Sequence, residues 1–163
     1  MPRRAYVGLA VAACLALAGC GGSKTSYKYR IAVIPKGLTH EHWQSVERGA
    51  RRAAADLQEQ GIAVEVLYDG PRKEDDAIEQ ISLVQQKAGM GIHGLVLAPQ
   101  NSKQMVPAVK EAADKGIPTV IIDSDLGAEE MKRAGVEVVK YVATNNHNGG
   151  KLAARRLLEV LAG

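Results

Sequence analysis

The chain has 163 residues, enough for one ordinary domain and too few for two. Hydrophobic residues make up 46% and charged residues 24%, a globular composition that excludes a disordered or fibrous chain. Taking Arg3 and Arg4, which sit in a segment read below as cleaved, from the 21 basic residues leaves 19 against 18 acidic. That balance excludes a protein built to neutralise phosphate backbones, so no nucleic acid is expected as partner. With no Phe, one Trp and five Tyr, the core must be aliphatic and alanine-rich.

In chain order, Pro2-Arg3-Arg4 is a short positive segment, and Ala5 to Ala18 follows without a charge. This is the length of a signal-peptide core and too short to cross ~30 Å of hydrocarbon as a helix. Leu17-Ala18-Gly19-Cys20 then resembles a bacterial lipobox, which places a signal peptide over 1–19 and the acceptor of a lipid anchor at Cys20. Cys14 leaves with the signal peptide, so the exported body carries no disulfide. Residues 20–27, rich in Gly, Ser and Thr, read as a flexible tether.

Beyond the tether, short apolar runs alternate with helical patterns. Lys28 to Pro35 is a buried strand, and Val46, Ala50, Ala53, Ala54 and Leu57 recur on one face of a helix over His40 to Gln60. Gly61 closes that helix and Ile62 to Tyr68 is the second strand. Ala77, Ile78, Ile81, Val84 and Ala88 mark a second helix ending near Gly89, and Gly94 to Ala98 is the third strand. Met105, Val106, Val109, Ala112 and Ala113 line a third helix, in which Pro107 is expected to remove one backbone bond. Thr119 to Ile122 is the fourth strand, Tyr141 to Ala143 a weaker fifth, and Gly149 to Leu161 a closing helix. Strands separated by such helices imply right-handed βαβ units: an α/β fold of three layers, α/β/α, with a parallel sheet buried on both faces.

In such a sheet the loops at the carboxyl ends of the strands build the ligand site. They carry Lys36 to Trp43, Gln100 to Ser102, Asp123 to Asp125, and Thr144 to Asn148. Trp43 is either a flat face for a ligand or an aromatic capping the core. Asn101 or Ser102 is expected to cap the third helix. A carboxylate such as Asp123 can accept two hydroxyls of a sugar at once, the alternative being a turn-forming Asp. His40 and His42 lack the His-Glu-x-x-His spacing, so no metal is expected. Gly89 to Gly94 matches G-x-G-x-x-G, but it precedes a strand and follows a helix, the reverse of a dinucleotide fingerprint. There is no Walker loop, no G-x-S-x-G and no catalytic pair, so neither a cofactor nor enzymatic chemistry is expected.

Taken together, the lipobox, the strand ending in IPKG, the THEHW loop, the strand ending in LAPQNS, the GIPTVIIDSD segment and the TNNHNGGKLAA turn are similar to the sugar-binding type 1 periplasmic binding proteins. These ribose-binding-like proteins are the substrate-binding components of ABC transporters. The resemblance runs from about Tyr29 to Leu161 and implies the N-terminal lobe of a two-lobed fold that closes on a sugar. Carried over, the ligand contacts are Lys36, Thr39, His40, His42, Trp43, Gln100, Asn101, Asp123 and Ser124, with Asn145 and Asn146 at the first hinge crossing. Many ribose binders have paired Phe where this chain has His42-Trp43, and Arg where it has Ser124, which leaves the sugar's identity open.

Residues 28–144 then form the N-terminal lobe, and 145–163 the hinge crossing and first helix of a second lobe. The sequence stops at Gly163, where that lobe has barely begun, so the expectation is an incomplete sequence, with a single-lobe protein as the alternative. The helix Gly149–Leu161 would then leave Leu152, Leu157, Leu158 and Leu161 exposed. The function implied is a lipoprotein outside the cytoplasmic membrane, in the periplasm or on its outer face, that captures a sugar for an ABC permease. The alternatives are a ligand-sensing protein for a membrane kinase or chemoreceptor, or a remnant that binds nothing.

Overall fold

A computed structural model describes residues 27–163. The expected signal peptide with Cys14, the expected lipidation at Cys20 and nearly all of the expected tether lie outside the described residues. The elements alternate as β1 (Tyr29–Ile34), α1 (Glu41–Glu59), β2 (Val64–Tyr68), α2 (Ala77–Gly89), β3 (Gly94–Leu97), α3 (Val106–Asp114), β4 (Thr119–Ile122), α4 (Ala128–Ala134), β5 (Lys140–Val142) and α5 (Asn146–Leu161). All five strands are parallel, in the order β2-β1-β3-β4-β5. Every strand therefore presents its carboxyl end to one edge, where the register aligns Ile34 with Leu97 and Leu97 with Ile121.

The pleat separates two unequal faces. Ala32, Ile34, Leu95, Leu97 and Ile121 point to one face and pack with Val84 and Ala88 of α2 and Val106, Val109 and Ala112 of α3 in a single buried cluster. Met131 and Ala134 of α4 lean on the same cluster. The alternate residues Ile31, Val33, Val64, Val66 and Val96 face Ala50, Ala53, Ala54 and Leu57 of α1. Among the described residues α1 is the only helix on that face, and Trp43 is its only buried residue. The three layers, α/β/α, are as expected, but the two faces are unequally buried: Val33 beneath α1 is buried, and its neighbours on that face less so. Val96, Val120 and Ile122 stay partly open because one helix cannot cover five strands.

The sequence pattern placed the strands to within two residues and missed α4. That helix, AEEMKRA, carries one large apolar residue and no repeat on which periodicity can act. Three other expectations change. Helix α3 starts at Val106, so Pro107 sits in its first turn, where a missing N–H forfeits no helical bond. Asn101 does not cap α3: its Oδ1 accepts from the Lys103 and Gln104 amides in the turn before it. In α2, Ile78 points outward at 79% exposure, against the apolar reading, and Gln80, on which that reading was silent, is fully buried. Gly61 does close α1, with φ at +79° in the left-handed region that its missing Cβ permits.

Helix α5 begins at Asn146, three residues before the expected start, because Asn145 caps it by accepting the Asn148 amide at 2.9 Å. It is exposed along its length, Leu152, Leu157, Leu158 and Leu161 included. Truncating the core side chain in Leu97→Ala should therefore lower the stability of this chain by roughly 2–5 kcal/mol, and Leu158→Ala by less than about 0.5 kcal/mol. Urea denaturation of both variants checks this contrast. Equal losses would place Leu158 in a packed environment.

Candidate ligand-binding site

The chain passes from β1 to β2 on one side and returns to β3 on the other, so the loops after β1 and β3 part and leave a crevice between them. Lys36, two residues past β1, extends from this point toward the end of β4. Its ammonium donates to Asp123 Oδ2 at 2.6 Å and to Ser124 Oγ at 2.5 Å. The Ser124 hydroxyl in turn donates to Asp123 Oδ2 at 3.0 Å. Only 19% of the Lys36 side chain is exposed, against 37% for Asp123, so this ion pair is better shielded than a surface pair.

Asp123 occupies a backbone position that few side chains accept. Its φ is +63°, the one positive value outside glycine among the described residues. The Ser124 amide donates back to Ile122 O at 2.8 Å, closing a three-residue turn around it. Two further bonds hold the turn against β5: the Asp123 amide donates to Val142 O, and the Tyr141 hydroxyl donates to Asp123 O at 2.9 Å. Asp and Asn tolerate such a conformation best among residues with a Cβ. Burial acts to push the Asp123 carboxyl up, but the bonds from Lys36 and Ser124, with the charges of Lys36 and His42, outweigh it and hold the group below its ordinary value.

The first loop builds the adjoining wall. His40 caps α1, its Nδ1 accepting the His42 amide at 3.1 Å. Trp43 is 2% exposed. Its indole N–H donates to Glu74 and its carbonyl accepts from the Tyr68 hydroxyl at 2.6 Å. Burial, aided by the Glu47 charge, pushes that phenol up to about 12, so it remains a donor at neutral pH. Trp43 is therefore a fixed wall with a narrow exposed rim. The imidazole of His42 stands edge-on to it, with centroids 4.6 Å apart. Between this wall and the ends of β4 and β5 lies a cavity of about 420 Å³, lined by His42, Trp43, Val46, Ile122, Asp123 and Val142 to Thr144. That is within the range of small-molecule sites, roughly 300–1,000 Å³.

The residues carried over by resemblance thus fall into two groups. Lys36, His42, Trp43, Asp123 and Ser124 converge on the cavity or its rim. Thr39, His40, Gln100 and Asn101 instead spend their polar atoms on backbone. Thr39 donates to Arg72 O, and the Gln100 amide donates to Lys36 O and Lys73 O. Of the two hinge candidates, Asn145 caps α5 and Asn146 Oδ1 accepts the Thr144 hydroxyl at 2.6 Å. Val46, Ile122, Val142 and Ala143 were not among the site residues expected, because an apolar lining reads as core in a sequence; Thr144 lies in the last of the strand-end loops. A larger depression, about 510 Å³, lies in the helical layer between α3 and α4. Its Glu130 is already paired with Lys103 and Arg133, which leaves little polar capacity for a ligand.

A sequence profile of the periplasmic binding protein domain matches residues 31–163. The chain belongs to the periplasmic binding protein family. The D-ribose/D-allose-binding protein of Pseudomonas aeruginosa is 34% identical over 141 residues, which cover 85% of this chain and 42% of that protein. The D-allose-binding periplasmic protein of Escherichia coli is 28% identical over 80% of this chain and 40% of its own length. Among solved structures, an ABC transporter solute-binding protein from Actinobacillus succinogenes with bound D-allose superposes with a TM-score of 0.73 at 28% identity, over 82% of this chain and 44% of that one. One from Agrobacterium vitis with bound D-fucose gives 0.68 at 33% identity, over 80% of this chain and 42% of that one. The chain spans less than half the length of these relatives.

The lowered carboxyl of Asp123 has a pH signature. The unfolded chain takes up this proton first, near 3.8, so the ionised group stabilises the fold fully above that value. Its contribution then disappears as pH falls from there through the lower folded value. Acid titration followed by circular dichroism should show the wild type losing stability across this window relative to Asp123→Asn, which has no titrating group there. Parallel curves would mean that the Lys36 pair contributes nothing to the fold.

Proposed function

We propose that this family member captures a small sugar outside the cytoplasmic membrane, anchored by a lipid on Cys20, and delivers it to an ABC permease without chemical change. The observation that carries the reading is the Asp123 carboxylate, held with Lys36 and Ser124 at the rim of a largely apolar cavity. Vicinal hydroxyls of a sugar match that set, since the carboxylate accepts two O–H groups and Lys36 can turn its donors to ring or hydroxyl oxygens. The apolar walls at Trp43, Val46 and Val142 suit the C–H faces of the same molecule. The relatives named for D-ribose and D-allose support this substrate class.

In this reading residues 28–144 form one binding lobe. Residues 145–163 cross a hinge at Asn145 and Asn146 and begin a second lobe, whose approach encloses the ligand. The same relatives support a periplasmic location and a role in binding rather than catalysis, while attachment to the outer face of the membrane rests on the Cys20 motif alone.

Thermal denaturation with and without D-ribose, D-allose and D-fucose tests the proposal in the full-length protein. Ligand at about a hundred times its dissociation constant stabilises by roughly 2.7 kcal/mol, a shift of a few degrees. Asp123→Asn, which keeps a residue suited to the left-handed turn, should abolish that shift, while its apo melting stays cooperative and falls only by what the lost Lys36 pair contributes. An unchanged sugar-induced shift in this variant would remove Asp123 from the site, and no shift with any sugar in the wild type would overturn the substrate class.

A further inference from the structure

Gln80 is fully buried near the start of α2, and its side chain uses both of its donors and one of its acceptor sites. The amide nitrogen donates to Pro35 O and to Ala98 O, each at 2.8 Å. The amide oxygen accepts the Gln100 backbone N–H at 2.9 Å. The orientation of the amide follows from these partners, because two carbonyls demand the NH2 group and an N–H demands the oxygen. The partners are the backbone groups left over where β1 and β3 part. The Ala98 amide donates to Ile34 O at 3.0 Å, and past that bond the loops diverge.

Pro35 and Gln100 are each one step from the ligand-facing chemistry. Lys36 follows Pro35 directly, and the Gln100 side chain donates to Lys36 O. A residue outside the cavity lining therefore fixes the root of Lys36 from below while Gln100 ties it from above. We infer that Gln80 is the positioning residue of the site, bridging the ends of β1 and β3 so that Lys36 reaches Asp123 and Ser124. The inference rests on the sugar-binding reading for its consequence in affinity, and on the apo geometry alone for its consequence at Asp123.

Gln80→Met has similar length and no hydrogen-bonding amide, so it separates filling from bridging. Two readouts are expected to move together at a temperature well below melting. In the apo protein, the NMR titration of the Asp123 carboxyl should shift upward toward its ordinary value, as Lys36 loses its fixed approach. In the binding assay, affinity for D-ribose or D-allose should fall roughly tenfold or more, the scale of losing buried hydrogen bonds. A melting temperature that drops while both the Asp123 titration and the affinity stay at wild type would make Gln80 a packing residue and overturn the inference. Should the wild type bind no sugar, the titration of Asp123 still decides the role of Gln80. If Gln80→Met does not fold, Gln80→Glu keeps the shape and turns a carboxylate toward two carbonyls. It should move the Pro35 and Ala98 carbonyl carbon shifts and the Asp123 titration; wild-type values for all three would equally overturn the inference.

Discussion

Two neighbouring parallel strands that part company leave backbone groups without a ladder partner, and in a dry interior those groups must be satisfied by something. In this chain the parting lies between β1 and β3, and the answer is one glutamine from α2. The choice is economical. Proline at position 35 has no N–H to satisfy, and one primary amide matches what remains: two carbonyls and one N–H. The crevice that makes a site possible is thus held open by hydrogen bonds, while the apolar cluster beneath it holds the sheet.

The site above shows the same division. Four of the polar residues at the strand ends serve the backbone, and their work is to give a few others a fixed geometry. His40 starts α1, Glu74 and Tyr68 lock Trp43, and Tyr141 with Val142 clamps the turn at Asp123. Side chains immobilised in this way lose little freedom when a ligand arrives, so less of the interaction is spent on ordering them.

Much of the fold was legible because parallel strands between helices write themselves as apolar runs, and Gly61 marked a helix end that the backbone conformation repeats. What escaped did so for definite reasons. A seven-residue helix such as α4 has no room for a period, and Pro107 misleads until the first residue of α3 is known. Helix α2 is the most instructive case: its apolar pattern included Ile78, which is exposed, while Gln80 is buried on backbone carbonyls that no sequence displays. For the site, strand-end reasoning brought forward Lys36 and Asp123, and the family resemblance added Ser124. The apolar lining at Val46, Ile122 and Val142 stayed hidden because a wall and a core are made of the same residues.

The left-handed turn at Asp123 also bears on how such a site can diversify. Val, Ile, Thr and the aromatic residues are disfavoured there by their own backbone, whatever ligand they would suit. Asp, Asn and Gly remain, a choice between two oxygens, an amide and nothing. Neighbouring positions carry no such restriction: Ser124 follows the turn and His42 is exposed on a helix surface. Under the proposed reading, descendants of this sequence that change their ligand would draw on these three at 123 and vary 42 and 124 more freely around it, so that the backbone is inherited and the ligand's identity is negotiable.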